Sequence, residues 1–389
     1  MGHFPIIGKY TEATIYAESI EPTALKQIYE MTNNPAFTSP IAIMPDVHAG
    51  KGSVIGFTMS FDGKVIPSVV GVDIGCGMTV CTFNSSDIKY SLEEIDKKIR
   101  SVVPLGKNHY NKPIDVNTLV RRVESNMSKL YQFTKKYNTG FDYDYIFEDY
   151  IECILENSGR AGMYGCGSLG GGNHFIELDI HESYTDKMSF VIHSGSRYFG
   201  LYVCELWERF MKYKGLDYLS DRFAFEYLFD MFIAEHYASM SRELMMNNVL
   251  DVLGITNHSS FKETVHNYIS FDEDEIIIRK GAISARQGKE VLIPLNMKDG
   301  SLLCIGKGNP DWNYSAPHGA GRLYSRGEAK RSLSMEVFNK EMSGIYVSNL
   351  SESLLDESPM AYKDGSEIEH LICDTVEVID HLKPVLNIK

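Results

Sequence analysis

The chain has 389 residues, 43% of them hydrophobic and 23% charged, with 32 Gly and 13 Pro. This composition excludes a mainly disordered or collagen-like chain and provides enough apolar sequence for a large core. A formal net charge of -14 excludes a general nucleic-acid coat, because nonspecific binding needs Lys and Arg to neutralise phosphates, but it leaves room for a local basic groove or for metal ions.

Residues 1–90 alternate short apolar runs with Gly and Pro, and 41–44, 54–60, 64–70 and 78–83 read as strands. Amphipathic helices are predicted at 92–103 and 116–135. A turn at Asn138-Thr139-Gly140 and an acidic, aromatic helix at 143–156 follow. Residues 161–200 are dense in glycine, and 201–250 form the longest helical region. Strands return over 276–306, a Gly/Arg-rich loop spans 315–331, and 367–381 reads as a last helix. There is no internal repeat and no linker. The expectation is therefore one α+β domain over residues 1–389, whose loops converge on one site. The helical stretches near 91–160 and 201–250 would be insertions or caps.

No run of 18 apolar residues is present, so no transmembrane helix is expected, and the N-terminus lacks the layout of a signal peptide. The seven scattered cysteines do not read as a disulfide framework. A reducing, cytoplasmic setting is expected, with Cys81, Cys153, Cys204 and Cys373 as small buried hydrophobes.

Five glycine-flanked clusters carry chemistry: Met44–Gly52, Gly71–Met78, Gly167–Glu177, His193–Arg197 and Ser315–Arg322, with Val265–Tyr268 as a weaker sixth. Glycines let a backbone approach a ligand closely, and His, Cys and Asp are ligands for divalent transition metals. Asp73 and Cys76 in Asp-x-x-Cys spacing can reach one centre together, and a thiolate can bridge two cations. His174, His193 and His266 can complete two coordination shells. Each cluster also has a plainer reading as a turn or a packed residue. The Gly170-Gly171-Gly172 run lacks the Gly-Lys-Ser/Thr ending of a P-loop. Spacing alone leads to a metal-dependent phosphoester or nucleotide enzyme and no further.

Taken together, Met44–Gly52, Gly71–Met78, Gly167–Leu178, His193–Arg197, His266-Asn267, Arg279–Arg286, Gly306–Pro310 and His318–Arg326 resemble the RtcB family of RNA ligases. The resemblance runs from about residue 40 to the end. It implies a largely unshared α+β fold and a reaction that joins an RNA 3′-phosphate, or a 2′,3′-cyclic phosphate, to a 5′-hydroxyl using GTP and Mn²⁺. By the same resemblance, His318 is the nucleophile that carries GMP. Asp73, Cys76, His174, His193 and His266 hold two Mn²⁺ ions, with Cys76 bridging. Asn173, His174, Phe175, Ile176 and Glu177 touch the nucleotide, Asn173 at phosphate and Glu177 toward guanine. His266, Asn267, Pro294, Met297, Ser301 and the run His318, Gly319, Ala320, Gly321 belong to the same site. Tyr362 and Lys389 would stack on and hydrogen-bond the base.

Arg197, Lys307 and Arg322 are candidates for phosphate contacts, and a basic strip of Arg279, Lys280, Arg286, Arg322, Arg326, Lys330 and Arg331 is expected to meet RNA. The implied role lies in tRNA splicing or RNA repair, with a protein activator as a possible partner. Pro294-Leu295-Asn296-Met297, Tyr198-Phe199 and Ala316-Pro317 depart from the family pattern, and point to a divergent branch. The competing readings are a two-metal phosphoesterase acting on RNA ends without GTP, and a non-catalytic RNA-binding subunit.

Overall fold

A computed structural model describes residues 4–136, 147–271 and 275–389. The turn at Asn138-Thr139-Gly140 and the start of the 143–156 helix lie outside them; the described part of that helix is Phe147–Asn157. Two sheets organise the rest. One has seven antiparallel strands in the order Lys262–Val265, Gly77–Asn84, Lys187–Ser194, Phe175–His181, Val376–Ile388, Gly300–Gly306 and Glu290–Asn296. The Leu292 N–H donates to Thr264 Oγ1 at 3.1 Å, so the two edges of this sheet approach each other.

Side chains alternate across a strand. Ile176, Leu178, Phe190 and Ile192 therefore pack outward on Met245, Met246, Val249 and Leu250 of the helix Asp221–Leu253. Met78, Val80, Phe175, Val191, Leu292 and Leu382 fill the inner face. The second sheet has six strands: Phe4–Ile7, Glu12–Ile15, Ile41–His48, Ile55–Ser60, Ile277–Lys280 and Asn267–Ile269. The N-terminal half of Asp221–Leu253 packs in its core with Ile43, Phe57 and Ile278. This helix touches both apolar clusters and is buried nearly all round, which is why its apolar residues follow no single stripe. It is a core beam.

The chain crosses from one sheet to the other at a single residue. Val265 ends a strand of the seven-stranded sheet and Asn267 begins one of the six-stranded sheet, which leaves His266 at the junction. The pocket described below opens there.

The helices Leu92–Val102 and Val116–Lys136 fall where their periodicity places them, the first opened by a Ser91–Glu94 capping box. Three expectations are corrected. In the 64–70 strand only Lys64–Val65 is extended, and Pro67 opens a helical turn, Pro67–Val70, because its fixed φ suits a first helical position. The 315–331 loop contains a strand, Ser315–Pro317, and a helix, Arg326–Ser332, capped by Ser325. The 367–381 helix stops at Leu371, and Val376–Ile388 is a strand paired on both sides. Its buried residues largely alternate with more exposed ones, and Pro384 is incompatible with a helix interior. Cys81 and Cys204 are buried as expected, but Cys153 and Cys373 are exposed.

Candidate active site and metal centre

The Asp73–Cys76 turn is built by glycine. Gly71 and Gly75 have φ of 115° and 69°, and a Cβ at Gly195 would lie 2.4 Å from Asp73 Oδ1. The turn is tied to the sheet junction: Gly75 N–H donates to Asn267 O at 2.8 Å, and His266 N–H to Cys76 O at 2.9 Å. Cys76 Sγ then lies 3.5 Å from His174 Nε2 and 3.3 Å from His193 Nε2. His174 Nε2 is 3.0 Å from Asp73 Oδ2.

The outer nitrogens of two rings are engaged. His174 Nδ1 faces Leu169 O at 3.0 Å and His193 Nδ1 faces Asn173 O at 3.1 Å. With the N–H there, His193 presents its Nε2 lone pair inward, and His174 would do the same toward a metal ion in place of its present contact with Asp73. Among the described residues, Cys76, His193 and His266 form one group able to hold a metal ion, and Asp73, Cys76 and His174 form another, with donor atoms within 4.8 Å in each. Cys76 belongs to both.

Burial, and next the charge of Asp73, hold the Cys76 thiol well above its ordinary pKa. Burial also keeps His193 and His266 well below theirs, so both rings are neutral. Burial would raise Asp73, but its contacts with His174 and the Arg197 N–H outweigh that and keep it low. Neutral imidazoles, a carboxylate and a shared thiol fit divalent transition ions, which would displace the thiol proton. Behind the turn, the fully buried Arg242 donates to Gly75 O at 2.7 Å and Ser194 O at 2.9 Å and pairs with Glu263 at 3.3 Å. Its place in an ordinary helical stretch hid this buttressing role.

His318 lies across the pocket, at the end of the short strand Ser315–Pro317. Its ring centroid is 4.8 Å from that of His266. Asp46, fully buried in Ile41–His48, places Oδ2 2.6 Å from His318 Nδ1 and 3.2 Å from the His318 backbone nitrogen. A carboxylate at Nδ1 keeps the proton there and leaves Nε2 as the nucleophilic face. Gly321, at φ 76°, lets the following turn close on Asp46, since a Cβ would meet its carbonyl oxygen at 2.6 Å. The sequence singled out the segment around Asp46 but not this role.

A cavity of about 290 Å³ joins the two halves. Asp73, Cys76, His193, His266 and His318 line it, together with Asn173, Phe175, Glu177, Asn267, Pro294, Met297, Gly319, Ala320, Gly321, Tyr362 and Lys389. His174 stands behind, against Asp73 and Cys76. Two expected residues face elsewhere. Ile176 points to the helical face of its sheet, and Ser301 is fully buried with its hydroxyl unpaired, although its neighbour Gly300 reaches the cavity.

Glu357, which the sequence reading missed, organises the far wall. It accepts from Tyr362 OH at 2.7 Å and pairs with Lys389 at 3.4 Å, Arg322 at 3.3 Å and Arg326 at 3.1 Å. Burial would raise its pKa, but Lys389, Arg326 and the Tyr362 bond outweigh burial and lower it.

The expected basic strip is corrected in the same way. Arg279 and Lys280 are buried: Arg279 donates to Ser315, Tyr268 and Ser270, and Lys280 to the carbonyls of Lys51, Ser53 and Ser68. Arg286 stacks over Tyr314, and Arg326 and Lys330 pair with Asp356. Arg197 is spent on the Ser168 and Gly106 carbonyls, and Lys307 donates to Cys373 O away from the cavity. These cations hold loops in place and do not form a continuous strip.

Fold and site together are those of an enzyme in which an oriented imidazole faces a centre able to hold two metal ions. A family model described as tRNA-splicing ligase RtcB matches residues 27–389. The chain is 31% identical over 414 residues to the RNA-splicing ligase RtcB of Escherichia coli K12, covering 95% of each. It is 26% identical over 425 residues to the tRNA-splicing ligase RtcB of Archaeoglobus fulgidus, covering 91% of this chain and 88% of the relative. The chain belongs to the RtcB family.

Proposed function

We propose that this member of the RtcB family, an RNA ligase, joins an RNA 3′-phosphate or 2′,3′-cyclic phosphate end to a 5′-hydroxyl end, using GTP and Mn²⁺. The observation that carries the reading is an Asp46-oriented His318 in the same cavity as two ligand groups that share Cys76. His318 Nε2 attacks the α-phosphorus of GTP; the N–P bond forms, the α–β phosphoanhydride bond breaks, and pyrophosphate leaves. Asp46 holds the Nδ1 proton and stabilises the positive charge that develops on the ring.

An oxygen of the RNA 3′-phosphate then takes the GMP and frees His318. The 5′-hydroxyl attacks the activated 3′-phosphorus, and GMP departs as the leaving group. A cyclic phosphate is opened to the 3′-phosphate first. Two Mn²⁺ ions held by Asp73, Cys76, His174, His193 and His266 would neutralise phosphate oxygens through these displacements. Asn173 and Gly319–Gly321 would contact the phosphates, and Glu177, Tyr362 and Lys389, which line the same cavity, would contact the guanine.

The task is tRNA splicing or RNA repair, with an activating protein as a further partner. No helix among the described residues is long and apolar enough to cross a membrane. The seven free cysteines support a cytoplasmic setting. The reading is tested with two RNA strands bearing defined ends. Joining requires a 3′-phosphate or cyclic phosphate, a 5′-hydroxyl, GTP and Mn²⁺ together. Phosphate release without joining overturns it and favours the phosphoesterase, and joining that ignores GTP overturns the guanylylated intermediate.

A further inference from the structure

The Met44–Gly52 cluster brings a further imidazole to the cavity, and the reaction above leaves it unused. His48 ends the strand Ile41–His48, two residues after Asp46, and lines the cavity with His318. Asp46 orients both rings. Its carboxylate meets His318 Nδ1 at 2.6 Å, and its backbone carbonyl meets His48 Nδ1 at 3.1 Å. A carbonyl oxygen can only accept, so His48 carries its proton on Nδ1 and keeps the lone pair on Nε2. That Nε2 makes no hydrogen bond among the described residues.

The backbone after the ring is pinned. Ala49 N–H donates to Glu21 Oε1 at 2.6 Å, and Gly50 exchanges hydrogen bonds with the Gln27 amide at 2.7 and 3.1 Å. Ile55 pairs with His48 across the two strands, and a Cβ at Gly281 would lie 2.2 Å from Ile55 Cγ2 and 3.3 Å from His318 Cε1. His48 and His318 therefore stand on neighbouring parts of one wall. Among the described residues, His48 belongs to neither group able to hold a metal ion. The charged and titratable groups that act on it are Asp46, His318 and Arg322. Burial outweighs the Asp46 contacts and lowers its pKa, so the ring is a neutral base at pH 7.

Proton accounting gives this base a task. A neutral His318 attacks GTP with a lone pair, and the RNA phosphate oxygen that takes the GMP is already anionic. The 5′-hydroxyl, in contrast, must lose a proton as it attacks the 3′-phosphorus. We infer that His48 Nε2 is the general base that takes that proton. The bond from the 5′-oxygen to phosphorus forms as the bond to the GMP oxygen breaks. GMP leaves with that electron pair, and His48 passes the proton to water. The inference rests on the ligase reading.

RNA prepared with GMP already joined to its 3′-phosphate tests this step without GTP. Mixed with a 5′-hydroxyl strand and Mn²⁺, His48→Ala and His48→Gln should each seal about 100-fold more slowly than the wild type, the scale of a lost general base. Free imidazole should recover about tenfold of that rate in His48→Ala and none in His48→Gln, whose side chain fills the space. Bound Mn²⁺ should match the wild type in both variants. Sealing at the wild-type rate in either folded variant, or imidazole that restores nothing to His48→Ala, overturns the proposal. Loss of metal from both variants would assign His48 to the metal site and overturns it as well. A wild type that seals no activated RNA overturns the ligase reading itself, and the inference with it.

Discussion

One carboxylate oxygen, Asp46 Oδ2, sits 2.6 Å from His318 Nδ1 and 3.2 Å from the His318 backbone nitrogen, and so governs both the place and the tautomer of that ring. Asp46→Asn keeps the shape but no longer secures the proton on Nδ1. The account predicts a fall of about 100-fold or more in the rate of nucleotide transfer to the protein, with bound metal unchanged. Single-turnover labelling checks this, and a loss under threefold would count against an orienting role.

Cys76 contributes to both ligand groups, so its loss should be felt twice. Cys76→Ala is expected to retain little Mn²⁺ by elemental analysis, whereas His193→Ala should keep the Asp73–His174 side and lose about half. Equal losses in the two variants would contradict a shared thiolate. A chelator should abolish joining in the wild type, and Mn²⁺ should restore it.

Asp73, Cys76, His174, His193 and His318 were legible because each stands near glycines that a tight approach requires, and a Cβ at Gly195 would collide with Asp73, whereas His266 has no such neighbour and gave the weakest signal. Glu357 was not legible. It lies in an irregular stretch, and its importance arises from Tyr362, Arg322, Arg326 and Lys389 converging on it from other segments. Arg279 and Lys280 misled for the opposite reason: adjacent cations read as a surface strip, yet both are buried and satisfied by backbone or side-chain oxygens. The strand Val376–Ile388 was misread because its polar positions resembled a helical face, and the sheet partners that define it are distant in the chain.

Glu357→Ala should release Tyr362 and Lys389 together. The expected result is a rise of about tenfold in the KM for GTP with a smaller change in kcat, since in the proposed reaction the groups lost would bind the nucleotide and would not react. Steady-state kinetics at saturating RNA measure it, and an unchanged KM would remove Glu357 from the nucleotide wall.

Asp230, in the helix Asp221–Leu253, accepts from Tyr150 OH at 2.5 Å and Trp207 Nε1 at 2.8 Å. Burial nevertheless pushes its pKa up to about 6. The native state therefore holds this proton more tightly than the unfolded chain, whose Asp titrates near 4. Its contribution to stability is full below about pH 4 and declines as pH rises to about 6, by an amount of order 2–3 kcal/mol. Urea midpoints at pH 4 and pH 7 should show this decline in the wild type and a smaller one in Asp230→Asn. Identical differences in the two proteins would refute the assignment.

The central claim is that His318 becomes covalently nucleotidylated. Incubation with GTP and Mn²⁺, followed by digestion and mass spectrometry under conditions that spare phosphoramidates, should find GMP on the peptide containing His318 and none in His318→Ala. No adduct in the wild type, or an adduct that survives in the variant, would contradict the account.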